Sequence, residues 1–286
     1  MCDDDIHVGL IYDPTVSRRT FGLISMAAAG GIATGAQAAD VVEKDVEVKT
    51  PDGLADAALF HPAGKGTWPA VLIWTDIAGL RPAFREMGRR LAAQGHVVLV
   101  PNPFYRSIKG VVATPGFDFA KPEDRAKVMG YRAAMTNDGV DKDAVAYLAF
   151  LDAQPQTDKK KKVGVQGYCM GGPLSFRTAA AVSNRIGAVG SFHGGGLTTD
   201  KPDSPHLLIP KTNAAYLCAV AKNDDEKQPD SKDILKAAFA AAKKTATVEV
   251  YPAAHGWCVK GSQVYDEAAA EKAWAELTAL YKKSLV

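Results

Sequence analysis

Paired cysteines, a surplus of one charge and an apolar run of membrane-spanning length are all missing from this 286-residue chain. Its four cysteines, Cys2, Cys169, Cys218 and Cys258, have no CxxC spacing and are too few for a disulfide scaffold, which excludes zinc-finger and thioredoxin-like readings. Lys and Arg number 34 against 32 for Asp and Glu. That balance gives no electrostatic case for nucleic acid or an anionic membrane, so the expected partner is a small soluble molecule. The run Lys159 to Lys162 reads as a solvated turn leading into the apolar Val163. No internal repeat and no interdomain linker interrupts the chain, and no histidine pair has the spacing of a metal site. No cofactor or metal is expected.

The apolar stretch from Gly22 to Ala38 is shorter than the roughly 20 residues that cross a bilayer and is rich in small residues, which makes a poor permanent anchor. It follows Arg18-Arg19 and ends in Ala36-Gln37-Ala38, the pattern of a twin-arginine export signal cleaved near Ala38 or Ala39. Asp3, Asp4 and Asp5 in the leader depart from a short basic n-region. The expected organisation is a signal over residues 1–38, a single domain over 39–286, and a periplasmic location.

Two β-rich runs around Pro51-Asp52-Gly53 predict a hairpin at the start of the domain. Apolar runs Ala70 to Trp74 and Val97 to Val100 flank a segment whose Phe84, Met87, Leu91 and Ala92 recur at helical spacing. Further helices are expected over Asp138–Leu151, after Gly172, over Ser231–Lys243 and at the C-terminus, the last with Val264, Ala268, Trp274, Leu277 and Tyr281 on one face. Strands are expected at Val163–Gln166, Gly187–Phe192, Ala215–Val220 and "ATVEVY". Continuous apolar strands between helices predict an α/β fold, a mostly parallel sheet covered on both faces. Tyr105 to Thr136, broken by Gly110, Pro115, Gly116 and Pro122, reads as irregular substrate-facing loop.

The chemistry centres on Gly167-Tyr168-Cys169-Met170-Gly171, which has the form G-x-S-x-G with sulfur in place of the hydroxyl, between a predicted strand and a predicted helix. Such a turn requires small neighbours and presents the nucleophile to a helix N-terminus. The bland alternative is a buried small residue at a tight turn. An acid and a histidine follow in the order that α/β-hydrolases use: Asp224 or Asp225 after "AAYLCAV", and His255 after "ATVEVYPAA". Asp224 is the first choice for the acid that orients His255, and His255 for the base that serves Cys169. His193 opens "HGGG", but it follows the nucleophile in sequence and reads as a glycine-rich strand end. The backbone N–H groups of Met170 and of Ile77, in the loop after "AVLIW", are expected to form an oxyanion hole, with Asp76 beside them.

Together "GYCMGG", "TDIAGLRPAFREMGRRLAAQGHVVLVPNPFYR" and "HGWCVKGSQVYDEAAAEKAW" resemble the dienelactone hydrolases, or carboxymethylenebutenolidases, over nearly all of residues 43–284. The resemblance implies an α/β-hydrolase fold, no cofactor, and a Cys-His-Asp triad falling on Cys169, His255 and Asp224. It implies a gating carboxylate at Asp76, one methylene shorter than the family's glutamate, and a substrate-carboxylate arginine at Arg106. Tyr105 and Trp257, beside Arg106 and His255, are further substrate-binding candidates. The family's second arginine position is Val259 here, followed by Lys260. The expected function is hydrolysis of a small, carboxylate-bearing lactone or ester through a thioester. The alternatives are a broad carboxylesterase on the same fold and a non-catalytic redox or thiol-binding protein in which Cys258 partners Cys169.

Overall fold

A computed structural model describes residues 40–114 and 116–286; the expected leader of residues 1–38 lies outside the described residues. Strands β1 (Val41–Thr50) and β2 (Gly53–Pro62) form the expected antiparallel hairpin. There follow β3 (Ala70–Trp74), α1 (Pro82–Ala93), β4 (Val97–Pro101), α2 (Pro122–Ala133), α3 (Asn137–Ala153), β5 (Val163–Tyr168), α4 (Gly171–Ala181) and β6 (Ile186–Phe192). A 3-10 turn over Pro205–Lys211 then leads to β7 (Ala215–Ala221), α5 (Lys222–Lys227), α6 (Ser231–Ala241), β8 (Ala246–Tyr251) and α7 (Glu267–Ser284). The strands form one eight-stranded sheet in the order β1-β2-β4-β3-β5-β6-β7-β8. It is parallel from β4 to β8 and antiparallel at the hairpin edge.

Strands β3, β4 and β5 are buried along their whole length, which is why they read as unbroken apolar runs. One face of the sheet is covered by α3, α4 and α6 through Tyr147, Phe176 and Phe239. The other is covered by α1 and α7 through Phe84, Leu91, Trp274 and Leu277. Burying each of these large side chains stabilises the fold by roughly 2 kcal/mol. Helix α1 starts at Pro82, whose missing N–H costs nothing in a first turn, and ends before Gly95, whose φ of +88° suits a helix terminus.

Where polar groups are buried in the core, several are paired. Trp74 Nε1 donates to Thr178 Oγ1 at 2.9 Å, tying β3 to α4. Tyr281 of α7 donates to Gln166 Oε1 at 3.0 Å, and Gln166 Nε2 donates to the Tyr168 hydroxyl at 2.7 Å. The last helix is thereby bonded to β5. Gly164 makes that approach possible, since a Cβ there would lie 2.7 Å from the Tyr281 ring.

Two details depart from the sequence expectation. Helix α2 stands inside the stretch expected to be irregular, because Pro122 occupies a first-turn position and starts the helix instead of breaking it. The C-terminal helix begins at Glu267, so Val264 precedes it and Ala268 faces solvent, and the buried stripe runs through Ala269, Ala270, Ala273, Trp274, Leu277 and Tyr281. Among the described residues no helix is long and apolar enough to cross a membrane.

Candidate active site

Parallel strands deliver four chemistry-bearing segments to one edge of the sheet: Asp76 after β3, Cys169 after β5, Asp224 after β7 and His255 after β8. Cys169 adopts φ +51°, a left-handed conformation rare for a residue with a side chain and characteristic of a nucleophile elbow. Its own N–H donates to Phe192 O at 3.0 Å, and its carbonyl accepts from Gly172 N at 3.1 Å. The turn is so tight that a Cβ at Gly167 would lie 1.9 Å from Gly171 O. One at Gly171 would lie 2.5 Å from Trp74 O, and one at Gly172 2.6 Å from the Gly194 Cα. Steric necessity therefore accounts for the glycines around Cys169. The sulfur lies at the start of α4, 11 residues long, on the positive side of its dipole.

His255 is held at two points. Its Nδ1 is 2.7 Å from Asp224 Oδ2, and its backbone N–H donates to Asn223 Oδ1 at 2.8 Å. Asp225, the competing acid, instead pairs with Lys232 at 2.8 Å. Burial opposes a charge on the His255 ring. The Cys169 sulfur and the Asp224 hydrogen bond outweigh it and raise the ring's pKa to about 10. Nε2 has no conventionally aligned hydrogen-bond partner among the described residues, yet the Cys169 sulfur is close enough to be the leading influence that raises the ring's pKa. A loose contact of this kind is common before substrate binds.

The backbone N–H groups of Ile77 and Met170 have no acceptor among the described residues. Asp76 is turned into its own loop. Its Oδ1 and Oδ2 accept from Arg81 Nη1 and Nη2 at 2.5 and 2.7 Å, and Oδ1 also accepts from Ala78 N at 3.0 Å. Arg81 therefore balances the buried charge of Asp76. Nothing in the sequence pattern singled Arg81 out, because an arginine before a helix-initiating proline has no periodic signal.

The three substrate-binding candidates are engaged with protein groups in this structure. Each nitrogen of the Arg106 guanidinium donates to protein, to Asp143, Asp52 and Gly139 O, so its charge is already neutralised by two carboxylates. Tyr105 is buried in the same network, donating to Asp143 Oδ1 and bonded to Thr50 Oγ1, both at 2.7 Å. Trp257 is fully buried, stacked on Tyr251 with ring centroids 5.2 Å apart. Tyr105 and Trp257 are enclosed by protein, whereas the Arg106 side chain is 12 % exposed with its donors committed to protein. His193, read from the sequence as a glycine-rich strand end, lies beside the candidate site. This ring is 1 % exposed, lies 4.6 Å from the His255 ring between centroids, and has neither nitrogen bonded among the described residues. The signal was positional: β6 pairs with β5, so the residue after Phe192 must sit beside the elbow.

Cys169, Cys218 and Cys258 are free thiols. Cys169 belongs to the α3/α4 side of the sheet, whereas Cys258 packs against the α1/α7 side. Burial pushes the Cys258 thiol well above its ordinary pKa. No three His, Cys, Asp or Glu side chains converge as a metal site among the described residues.

The family model described as the dienelactone hydrolase family matches residues 55–285. The chain belongs to the dienelactone hydrolase family. A carboxymethylenebutenolidase of Pseudomonas sp. (strain P51) is 34 % identical over 129 residues, which is 45 % of this chain and 51 % of that protein. Among solved structures, a dienelactone hydrolase-like promiscuous phosphotriesterase from metagenomic libraries superposes with a TM-score of 0.70 at 21 % identity, covering 86 % of this chain and 99 % of the other. The dienelactone hydrolase of Anabaena variabilis ATCC 29413 gives a TM-score of 0.61 at 16 % identity, over 86 % and 99 %. These structural likenesses establish the α/β-hydrolase fold. As a dienelactone hydrolase family member, the protein is a hydrolase acting on ester or lactone bonds of small molecules.

Proposed function

We propose that this family member hydrolyses small lactones or esters with Cys169 as nucleophile, His255 as acid and base, and Asp224 as the group that orients His255. The observation that carries the reading is the left-handed elbow at Cys169 beside an imidazole that is bonded to a carboxylate. His255 takes the Cys169 proton as the sulfur attacks the carbonyl carbon. The carbonyl oxygen becomes an oxyanion that accepts from the Ile77 and Met170 N–H groups. As the carbon–oxygen bond breaks, His255 gives its proton to the leaving oxygen, which leaves a thioester on Cys169. Water then attacks that carbonyl, its proton passes to His255, and the carbon–sulfur bond breaks to release the acid and restore the resting pair.

The pairing of Arg106 with Asp143 and Asp52 favours an uncharged acyl group over the carboxylate-bearing substrate that the resemblance implied. The test is hydrolysis of matched neutral and anionic lactones and aryl esters by wild type and Cys169→Ala, with mass spectrometry of the quenched protein. Turnover falls at least about 10³-fold in the alanine variant, and acyl mass appears on Cys169 only in wild type. Retained turnover in Cys169→Ala would overturn the mechanism. The separate placement of Cys169 and Cys258 disfavours a disulfide between them.

Export by residues 1–38 is part of the proposal and rests on Arg18-Arg19 and the small-residue pattern alone. Replacing both arginines with lysine retains the protein in the cytoplasmic fraction. Unchanged periplasmic recovery would contradict twin-arginine export.

A further inference from the structure

The loop between β3 and α1 is organised around a buried ion pair. Asp76 is 1 % exposed and Arg81 7 %, and two charges so enclosed are tolerated only when paired with good geometry. The pairing is a two-point fork, Nη1 to Oδ1 at 2.5 Å and Nη2 to Oδ2 at 2.7 Å. A fork fixes both the position and the plane of the carboxylate, which a single-point ammonium cannot do.

The rest of the turn is bonded to this carboxylate or to its own residue's carbonyl. Asp76 Oδ1 accepts from Ala78 N at 3.0 Å, Asp76 O accepts from Gly79 N at 3.0 Å and from the Thr75 hydroxyl at 3.2 Å, and Arg81 Nη1 reaches Gly79 O at 3.3 Å. Gly79 takes φ +74° to close the turn. Arg81 itself is anchored, its carbonyl accepting from Phe84 N and Arg85 N at the start of α1 and its guanidinium lying 4.9 Å from the Phe84 ring centroid. On the other side, the Trp74 and Thr75 carbonyls press against Gly171 of the elbow, 2.5 and 2.8 Å from where a Cβ would stand. Within this stapled turn the Ile77 N–H is left without an acceptor. The ordinary fate of a buried N–H is to be bonded, so an unpaired one in the turn that packs against the elbow is a donor free for a ligand oxygen.

We infer that Arg81 is a positioning residue for the hydrolysis: by locking the Asp76 carboxylate into the turn, it fixes the Ile77 N–H as an oxyanion donor. This rests on the reading of Cys169 as nucleophile. In this chain the carboxylate is a structural element of the oxyanion loop, and Arg81 acts through it without touching substrate.

The test uses Arg81→Lys, which keeps a cation for Asp76 but loses the fork, and the double variant Asp76→Asn/Arg81→Met, which removes both charges and buries neither alone. Each is assayed for ester hydrolysis and for alkylation of Cys169 by iodoacetamide, a reaction of the same thiol that forms no oxyanion. The expected result is a fall in kcat of about 10-fold in Arg81→Lys and about 10²-fold in the double variant. KM and the alkylation rate stay within about 3-fold of wild type. A kcat near wild type in both variants overturns the inference. An equal fall in hydrolysis and alkylation also overturns it, since the pair would then act on the thiol and not on the oxyanion. Should Arg81→Lys fail to fold, the double variant gives the same readings, and unfolding of both shows a role in stability alone and overturns the inference. Failure of the underlying reading looks different: wild-type hydrolysis would survive complete alkylation of Cys169.

Discussion

His193 and His255 are neighbouring buried imidazoles, 4.6 Å apart between ring centroids, and their surroundings drive them in opposite directions. Burial takes His193 well below its ordinary pKa, and the nearby His255 lowers it further. Burial acts on His255 in the same sense, but Cys169 and Asp224 reverse it and carry the ring to about 10. The difference lies in partners and not in depth. A ring with a carboxylate on one side and a sulfur on the other holds a proton, and a ring packed against Trp257 and Tyr168 does not. The protein thereby places one charge at the edge of the sheet and excludes a second that would repel it.

Removing the carboxylate, one of the two partners that raise His255, weakens this contrast and has the largest expected effect on turnover. Asp224→Asn lowers kcat by about 10³- to 10⁴-fold, as expected when a base loses the acceptor that orients it. It also moves the His255 pKa from about 10 toward that of His193, which can be followed in a proton NMR titration of the ring signals. A loss of less than 10-fold would remove Asp224 from the mechanism.

The dependence of stability on pH sharpens the contrast because the two rings contribute with opposite sign. Folded His193 stays neutral while the unfolded chain takes up a proton below 6.5, so it makes the protein lose stability as pH falls through 6.5, by up to about 1.4 kcal/mol per pH unit. His255 holds its proton more tightly folded than unfolded. Its contribution is complete below 6.5 and is lost as pH rises from 6.5 through about 10. Urea unfolding across this range should show His193→Gln flattening the acid side only and Asp224→Asn the alkaline side only. The smallest effect is expected from Asp225→Asn. Its carboxylate serves Lys232, so kcat stays within about 3-fold of wild type and stability within about 1 kcal/mol.

The sheet was legible in the sequence because its central strands are apolar on both faces and its helices carry regular stripes. The meeting of Cys169, Asp224 and His255 at one edge of the sheet was legible because each follows the end of a parallel strand. Helix α2 could not be read, since Pro122 means one thing within a helix and another at its first turn. Arg106 could be matched to a substrate-binding position, but Asp52 and Asp143 lie 54 and 37 residues away from it, and their pairing appears only when the hairpin and α3 meet. Arg81 was hidden for the converse reason. Its partner is five residues away, yet an Asp and an Arg in one loop bear no mark that distinguishes a fork from two solvated charges.

The hydrogen bonds from Tyr281 to Gln166 and from Gln166 to Tyr168 join α7 to the strand that leads into Cys169. The polypeptide carries its cysteine at 169, its histidine at 255 and this tie at 281, so in order of synthesis the proposed nucleophile precedes its proposed base, and both precede the tie. Loss of the Tyr281 side chain would leave Cys169 and His255 in the chain and remove only the hydrogen bond that ties α7 to the strand beneath the elbow.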